Sequence, residues 1–297
     1  MLKNITIKNK KLLTALVFIV PTIAYLIFMQ GYPLLNAFFT SLTDKTIGIE
    51  GHFIWFRNYV ELAKDPIFWK TVSNSFVFTI SAIIFKLFFG MIMAIVLNQK
   101  LALVDLWRAL LFLPWTISTI VTVLMFGFMY SSTGGIFNTI LMGAKVITEP
   151  IAWLSTPAMA MISVILVNVW RGTPFFGISI LSGLQTIPTE QYEAAVLDGA
   201  NDIQKFLYIT IPSILNVILL VTVVSTIWTL NDFQIIWVLT RGGPVNATQV
   251  FSTLTYNYAF VNLYLAKGIA VSVASVPIIF SLIFLVTRLI FEPNDKS

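Results

Sequence analysis

Four acidic residues, Glu190, Glu193, Asp198 and Asp202, cluster in one short stretch, with Lys205 as the only basic residue beside them. No catalytic companion comes with them. The chain has no cysteine and one histidine, His52, which excludes thiolate chemistry, disulfides and cysteine-ligated metals and argues against a histidine metal site. Carboxylates in such company can pair with basic groups on a partner. Pro188 then Thr189 reads as a helix start, with Thr189 as N-cap. Glu190, Gln191 and Glu193 then fall in the first turn, where acidic groups suit the helix dipole. Tyr192, Ala195 and Val196 share one face. Gly199 is placed to end the helix in a left-handed conformation. A second segment, Asp202 to Tyr208, leads to Ile209-Thr-Ile-Pro212. The expectation is two short helices meeting at a glycine. Ala194 and Ala195 would let another protein approach the backbone. An interfacial helix on lipid headgroups is the rival reading, but such helices are usually rich in Lys and Arg.

A second group of chemically capable residues lies in apolar surroundings. Lys86, Arg171 and Asp232 interrupt long uncharged runs. Ionisable groups inside a membrane are costly and tend to face the bundle interior or a water-filled cavity. Arg171 and Asp232 would flank a translocation path, paired with each other, or form a structural salt bridge. Lys86 reads more simply as a salt bridge or a snorkelling side chain. Trp170, Trp228, Asn231, Phe233 and Trp237 surround the same runs. Aromatic faces and amides suit sugars, whose C–H faces stack on rings. Tryptophan is also enriched at membrane interfaces, and both readings stay open. Gly242-Gly243-Pro244 would make an external loop, either a plain turn or a contact for another protein.

The elements that must position these residues are membrane helices. Of the 297 residues 58% are apolar and 10% charged, with a mean hydropathy of +0.89. A soluble domain carries about 25% charged residues, so the excess apolar surface must face lipid. About 20 apolar residues span a bilayer as helix. Six stretches qualify, at 12–40, 72–97, 109–130, 158–184, 214–240 and 269–291, with 185–212 connecting the fourth and fifth. The chain is thus expected to be an all-α membrane protein. Lys3, Lys8, Lys10 and Lys11 precede the first span, which puts the N-terminal segment 1–11 in the cytoplasm. Six spans return the C-terminal segment 292–297 to the same side. The segment from Asp44 to Lys70 would then be external and 185–212 cytoplasmic. A cleaved signal peptide is the rival for the first span, but its apolar run is long and no clean cleavage site follows. The net charge of +5 is read as orientation signal rather than as nucleic-acid binding.

Glu193-Ala194-Ala195, then Gly199, then Ile209, Ile211 and Pro212 resembles the EAA signature of ABC importer permeases. That signature usually ends Ile-x-Leu-Pro, so Ile211 departs mildly. Phe56-Arg-Asn-Tyr59, Arg108 through Leu113-Pro114, Trp153-Leu154, Trp170 with Pro174, and Leu239-Thr-Arg-Gly-Gly-Pro244 with Thr248 are similar to the carbohydrate-uptake, maltose-type branch. Within it they look most like the subunit related to the maltose permease F subunit. The N-terminal half matches less distinctively than Trp153 to Tyr258.

The resemblance implies a type I ABC importer permease fold in a bacterial or archaeal cytoplasmic membrane. It implies that Glu190, Glu193, Ala194, Ala195, Asp198, Gly199 and Pro212 belong to a helix that docks on a separate cytoplasmic ATPase, present in two copies. ATP and Mg would be held by that ATPase; no cofactor is expected on this chain, which has no G-x-x-x-x-G-K-[ST] phosphate loop. A second, similar permease would complete the pore, and an external solute-binding protein would deliver a sugar or related polar solute. Trp170, Arg171, Trp228, Asn231, Asp232 and Phe233 would line the path, and Gly242, Gly243 and Pro244 would meet the binding protein. A stand-alone secondary transporter or channel is the competing function. It would be expected to carry more mid-membrane carboxylates than Asp232 alone. A membrane-embedded enzyme has no nucleophile–base constellation to support it.

Overall fold

A backbone surrounded by lipid finds no water for its N–H and C=O groups, so apolar segments of this length become helices. The computed structural model describes residues 17–291. The expected termini, 1–11 and 292–297, and the start of the first span lie outside them. Helix α1, Val17–Ser41, carries the first span, and a short helix α2, Arg57–Lys64, follows. Helix α3, Pro66–Leu97, begins six residues ahead of the expected 72 because Asp65 caps it. The Asp65 carboxylate accepts from the Ile67 N–H at 2.8 Å, and Pro66 opens the first turn. With 32 residues it is about 48 Å long.

The third span is not one helix. Helices α4, Val104–Thr116, and α5, Thr119–Met129, meet at 90°. Pro114 removes a helical donor in the last turn of α4, and Ile117 and Ser118 take extended backbone angles between the two. Helix α6, Ile136–Gly143, precedes α7, Pro157–Leu184. After it come α8, Thr189–Leu197, and α9, Asp202–Leu230. The expectation of two short helices is therefore corrected. Only α8 is short, and the second runs unbroken into the fifth span. Pro212 lacks the N–H for the turn before it, and a π turn at Phe206–Thr210 accommodates it without a break. Asn231 and Asp232 interrupt the fifth span as read, and α10, Gln234–Leu239, resumes beyond them. Helix α11, Phe251–Tyr256, passes into a π turn at Asn257–Val261, and α12, Leu265–Phe291, holds the sixth apolar stretch. Among the described residues four helices are long and apolar enough to cross a membrane, and the bent α4–α5 pair adds a fifth if it is one span.

The chain divides into two compact units. Among the described residues one comprises 17–62 with 255–274. Within it Asn58 donates to the Ser41 and Thr43 carbonyls at 2.8 Å, and the Ala266 N–H donates to the Lys45 carbonyl at 2.9 Å. The other comprises 63–254 with 275–291. Its main contact is α3 against α7, and glycines make it close. A Cβ on Gly90 would collide with Phe176, and one on Gly177 would meet Met93. Without a hydrophobic drive between helices in lipid, such small-residue contacts hold spans together. Two buried clusters flank the seam. Phe78, Val123, Phe126, Val164 and Ile235 belong to one; Met93, Leu97, Phe176, Ile180 and Ile214 to the other.

Candidate functional site

Helix α8 stands out from the spans. Pro188, with φ −61° and ψ 135°, is its N-cap and offers no side-chain oxygen. Thr189 is thus the first helical residue and not the cap that its type suggested. The fixed proline φ places the boundary one residue earlier. At the other end the Ala200 N–H donates to the Ala195 carbonyl at 2.9 Å, and the Gly199 N–H to the Val196 carbonyl at 3.1 Å. This paired pattern is the Schellman motif. It requires a left-handed residue, and Gly199 has φ +79°.

Asn201 then starts α9 at once. Its side chain accepts from the Gln204 N–H at 2.9 Å while Gln204 returns a bond to the Asn201 N–H at 2.8 Å. Both strands of the corner are therefore fixed by local hydrogen bonds.

The outer face of this corner is open. Glu190, Glu193, Ala194 and Asp198 are exposed, and Ala195 is half-buried. Large apolar side chains are exposed beside them, with Leu197 at 89% and Tyr208 at 77%. Val196 is 57% exposed and does not share the packed side of Tyr192. Asp202 binds its own Lys205 at 2.7 Å. The hydrogen bond and charge of Lys205 hold the Asp202 carboxyl below its ordinary range. Among the described residues no ion pair includes Glu190, Glu193 or Asp198. Pro212 is exposed at the foot of the span portion of α9.

Tyr192 was not among the expected site residues. Its hydroxyl lies 2.9 Å from Thr210 Oγ1, tying α8 to α9. The shared face with Ala195 was a visible signal for an inward Tyr192; the Thr210 partner was not.

The path residues divide. Trp170 packs edge-on to Phe126 with centroids 5.3 Å apart, inside the core. Asp232 does not pair with Arg171. Its Oδ2 accepts from Asn168 Nδ2 at 2.8 Å and its Oδ1 from the Ile235 N–H at 3.2 Å. Asn168 sits one turn before Arg171 on α7 and takes the carboxylate, so Arg171 turns to Trp115, 5.6 Å from that ring's centroid. Trp228 is 5.4 Å from Trp115 and 5.0 Å from Phe175. Asn231 bonds the Ile227 carbonyl of its own helix at 2.8 Å, and Phe233 stacks on Trp237 at 5.5 Å.

Lys86 does not snorkel, and among the described residues no salt bridge includes it. It is 3% exposed, lies across Gly172, and donates to Thr229 Oγ1 at 2.9 Å and Ser225 Oγ at 3.4 Å. A buried ammonium needs such acceptors. The hydroxyls at i and i+4 on α9 were visible in the sequence, but nothing there aimed them at α3.

Gly242, Gly243 and Pro244 form a braced turn. Gly242 has φ +86°. Thr248 donates to the Gly243 carbonyl at 2.7 Å. Two residues of α3 that sequence reasoning missed hold the loop down. Lys70 donates to the Val245 carbonyl at 2.7 Å, and Asn74 to the Asn246 carbonyl at 2.8 Å. Val245 itself is 78% exposed.

Apolar spans carrying a short, exposed helix between the fourth and the fifth form a membrane permease component. Residues 86–293 match the family described as binding-protein-dependent transport system inner membrane component, and the chain belongs to that family. It is 33% identical to a probable ABC transporter permease protein of Bacillus subtilis over 97% of this chain and 99% of that one. It is 33% identical to a trehalose/maltose transport system permease protein of Thermococcus litoralis, covering 89% and 88% of the two chains. A lactose transport system permease protein of Rhizobium radiobacter is 35% identical, with 82% of each covered. In fold, the chain is similar to one from a bacterial ABC transporter involved in import of the acidic polysaccharide alginate. The TM-score is 0.79 at 20% identity, over 96% of both chains. The expected type I importer permease fold is thus the one observed.

Proposed function

We propose that this chain is half of the pore of an ATP-driven importer for a saccharide or related polar solute. The observation that carries the reading is α8, an exposed acidic helix fixed by the Gly199 corner and continuous in mechanics with a span. Its relatives in trehalose/maltose and lactose transport support the solute class. A cytoplasmic ATPase in two copies would bind ATP and Mg and receive α8. The exposed Glu190, Glu193 and Asp198 would meet basic groups, while Ala194 and Ala195 allow close packing. Leu197 and Tyr208 would be covered in the same contact.

Force on α8 passes to α9 through two routes, the Gly199–Asn201 corner and the Tyr192–Thr210 hydrogen bond. Since α9 runs from Asp202 to Leu230 without a break, a shift at its foot tilts the span that carries Ser225, Trp228 and Thr229. The spans then exchange inward-facing and outward-facing arrangements, a rigid-body two-state change. In this account a second homologous permease closes the pore and an extracytoplasmic binding protein delivers solute near the Gly242–Pro244 loop. Both termini lie in the cytoplasm.

A secondary transporter is the alternative. It needs a mid-membrane carboxylate free to bind an ion or proton, and Asp232 is engaged by Asn168 and the Ile235 N–H. The test is Glu193→Lys in the assembled transporter. The reversed charge is expected to weaken co-purification of the ATPase and to lower uptake several-fold, with membrane insertion unchanged. Normal uptake and normal ATPase recovery would remove α8 from the coupling role.

A further inference from the structure

We propose that the imported solute bears an acidic group, a carboxylate on a sugar ring, and that Arg171 held among Trp115, Phe175 and Trp228 selects it. The inference rests on the saccharide reading above and narrows it.

Three helices build this patch. Trp115 comes from α4, Arg171 and Phe175 from α7, and Trp228 from α9. Phe175 stacks on Trp115 at 5.2 Å with an interplanar angle of 17°. Trp228 tilts against both rings, and the Arg171 guanidinium lies over Trp115. Trp228 is 48% exposed, and Arg171, Phe175 and Trp115 are each partly exposed. The patch is therefore an open surface within the spans and not sealed core. An arginine at this depth does not face lipid; it faces a water-filled cavity or another protein.

The charge balance of the neighbourhood is uneven. Lys86 and Arg171 are two basic side chains sharing the field of one carboxyl group, Asp232. Asp232 is already bound by Asn168 and the Ile235 N–H, and Lys86 by Thr229 and Ser225. Among the described residues no ion pair includes Arg171. Guanidinium groups match carboxylates by a bidentate pair of hydrogen bonds. A carboxylate on a sugar would supply an acceptor for the open side of the guanidinium while its C–H face lies on Trp228 or Phe175. A neutral sugar would satisfy the stacking surfaces alone and leave the guanidinium without its anion.

The experiment uses the purified assembly in detergent, with tryptophan fluorescence followed during titration with glucuronate and, separately, glucose. Glucuronate is expected to half-saturate at about tenfold lower concentration than glucose, as one charge-assisted pair provides. Arg171→Gln should remove that preference, and Arg171→Lys should keep part of it. Equal affinity for the two sugars, or a preference that survives in Arg171→Gln, would overturn the proposal while leaving the saccharide reading standing. Failure of both sugars to bind would overturn the two together. Loss of the second permease from the Arg171→Gln assembly would assign Arg171 to the subunit interface, and this too overturns the proposal.

Discussion

Gly199→Pro is expected to abolish ATP-driven uptake while leaving the chain in the membrane. Gly199 has φ +79°, and proline fixes φ near −65°. The substitution also deletes the N–H that donates to the Val196 carbonyl at 3.1 Å. The Schellman end of α8 then cannot form, and the helix leaves its aim relative to α9. Space is not the constraint, because no atom lies within 4 Å of a Cβ built there. Gly199→Ala keeps the N–H and meets only the left-handed strain, about 1 kcal/mol. Uptake into proteoliposomes, measured beside the ATPase rate, should fall at least about tenfold for proline and only about two- to threefold for alanine, each tenfold being about 1.4 kcal/mol. The ATPase should keep turning over in the proline variant. Normal uptake in Gly199→Pro would detach the corner from coupling.

The second large effect is expected at Gly90. A Cβ there would overlap Phe176, and it would stand 3.1 Å from the Gly177 N–H nitrogen, which is backbone and cannot swing away. Gly90→Leu should therefore push α3 from α7 and destabilise the bundle by about 3 kcal/mol, at the upper end of overpacking costs. Thermal unfolding in detergent, followed by circular dichroism, should show a midpoint lower by several degrees. Gly143→Ala, where a Cβ would meet nothing within 4 Å, is the matched control and should leave the midpoint unchanged or slightly raised. Equal midpoints for Gly90→Leu and the parent would contradict the glycine seam.

Apolar run length was enough to read an all-helical chain, because lipid leaves the backbone no alternative to helix. The Gly199 corner was legible for the same kind of local reason, since few residues adopt its φ. The break between α4 and α5 was not. Pro114 was in view, but a proline can kink a span or end it, and the extended Ile117 and Ser118 decide which. The fusion of α9 with the fifth span was hidden by Pro212, which reads as a boundary and is absorbed by a π turn.

Side-chain partners across helices were the least legible. Arg171 and Asp232 looked like a pair because they carry opposite charge. Asn168, one turn away on the same face, reaches the carboxylate first. Lys86 looked marginal, yet it is buried against hydroxyls of α9 in a slot that Gly172 leaves open. Neither outcome follows from residue type, because both depend on the angle at which one helix meets the next.

The central claim is that transport through this chain is driven by ATP hydrolysis on another subunit, received at α8. The most direct measurement is radiolabelled saccharide uptake into proteoliposomes, with ATP enclosed on the ATPase side and the binding protein with its solute on the other. The expected result is uptake that requires ATP and both partner subunits, and that an ion gradient cannot replace. Uptake by this chain alone, driven by a sodium or proton gradient without ATP, would contradict it.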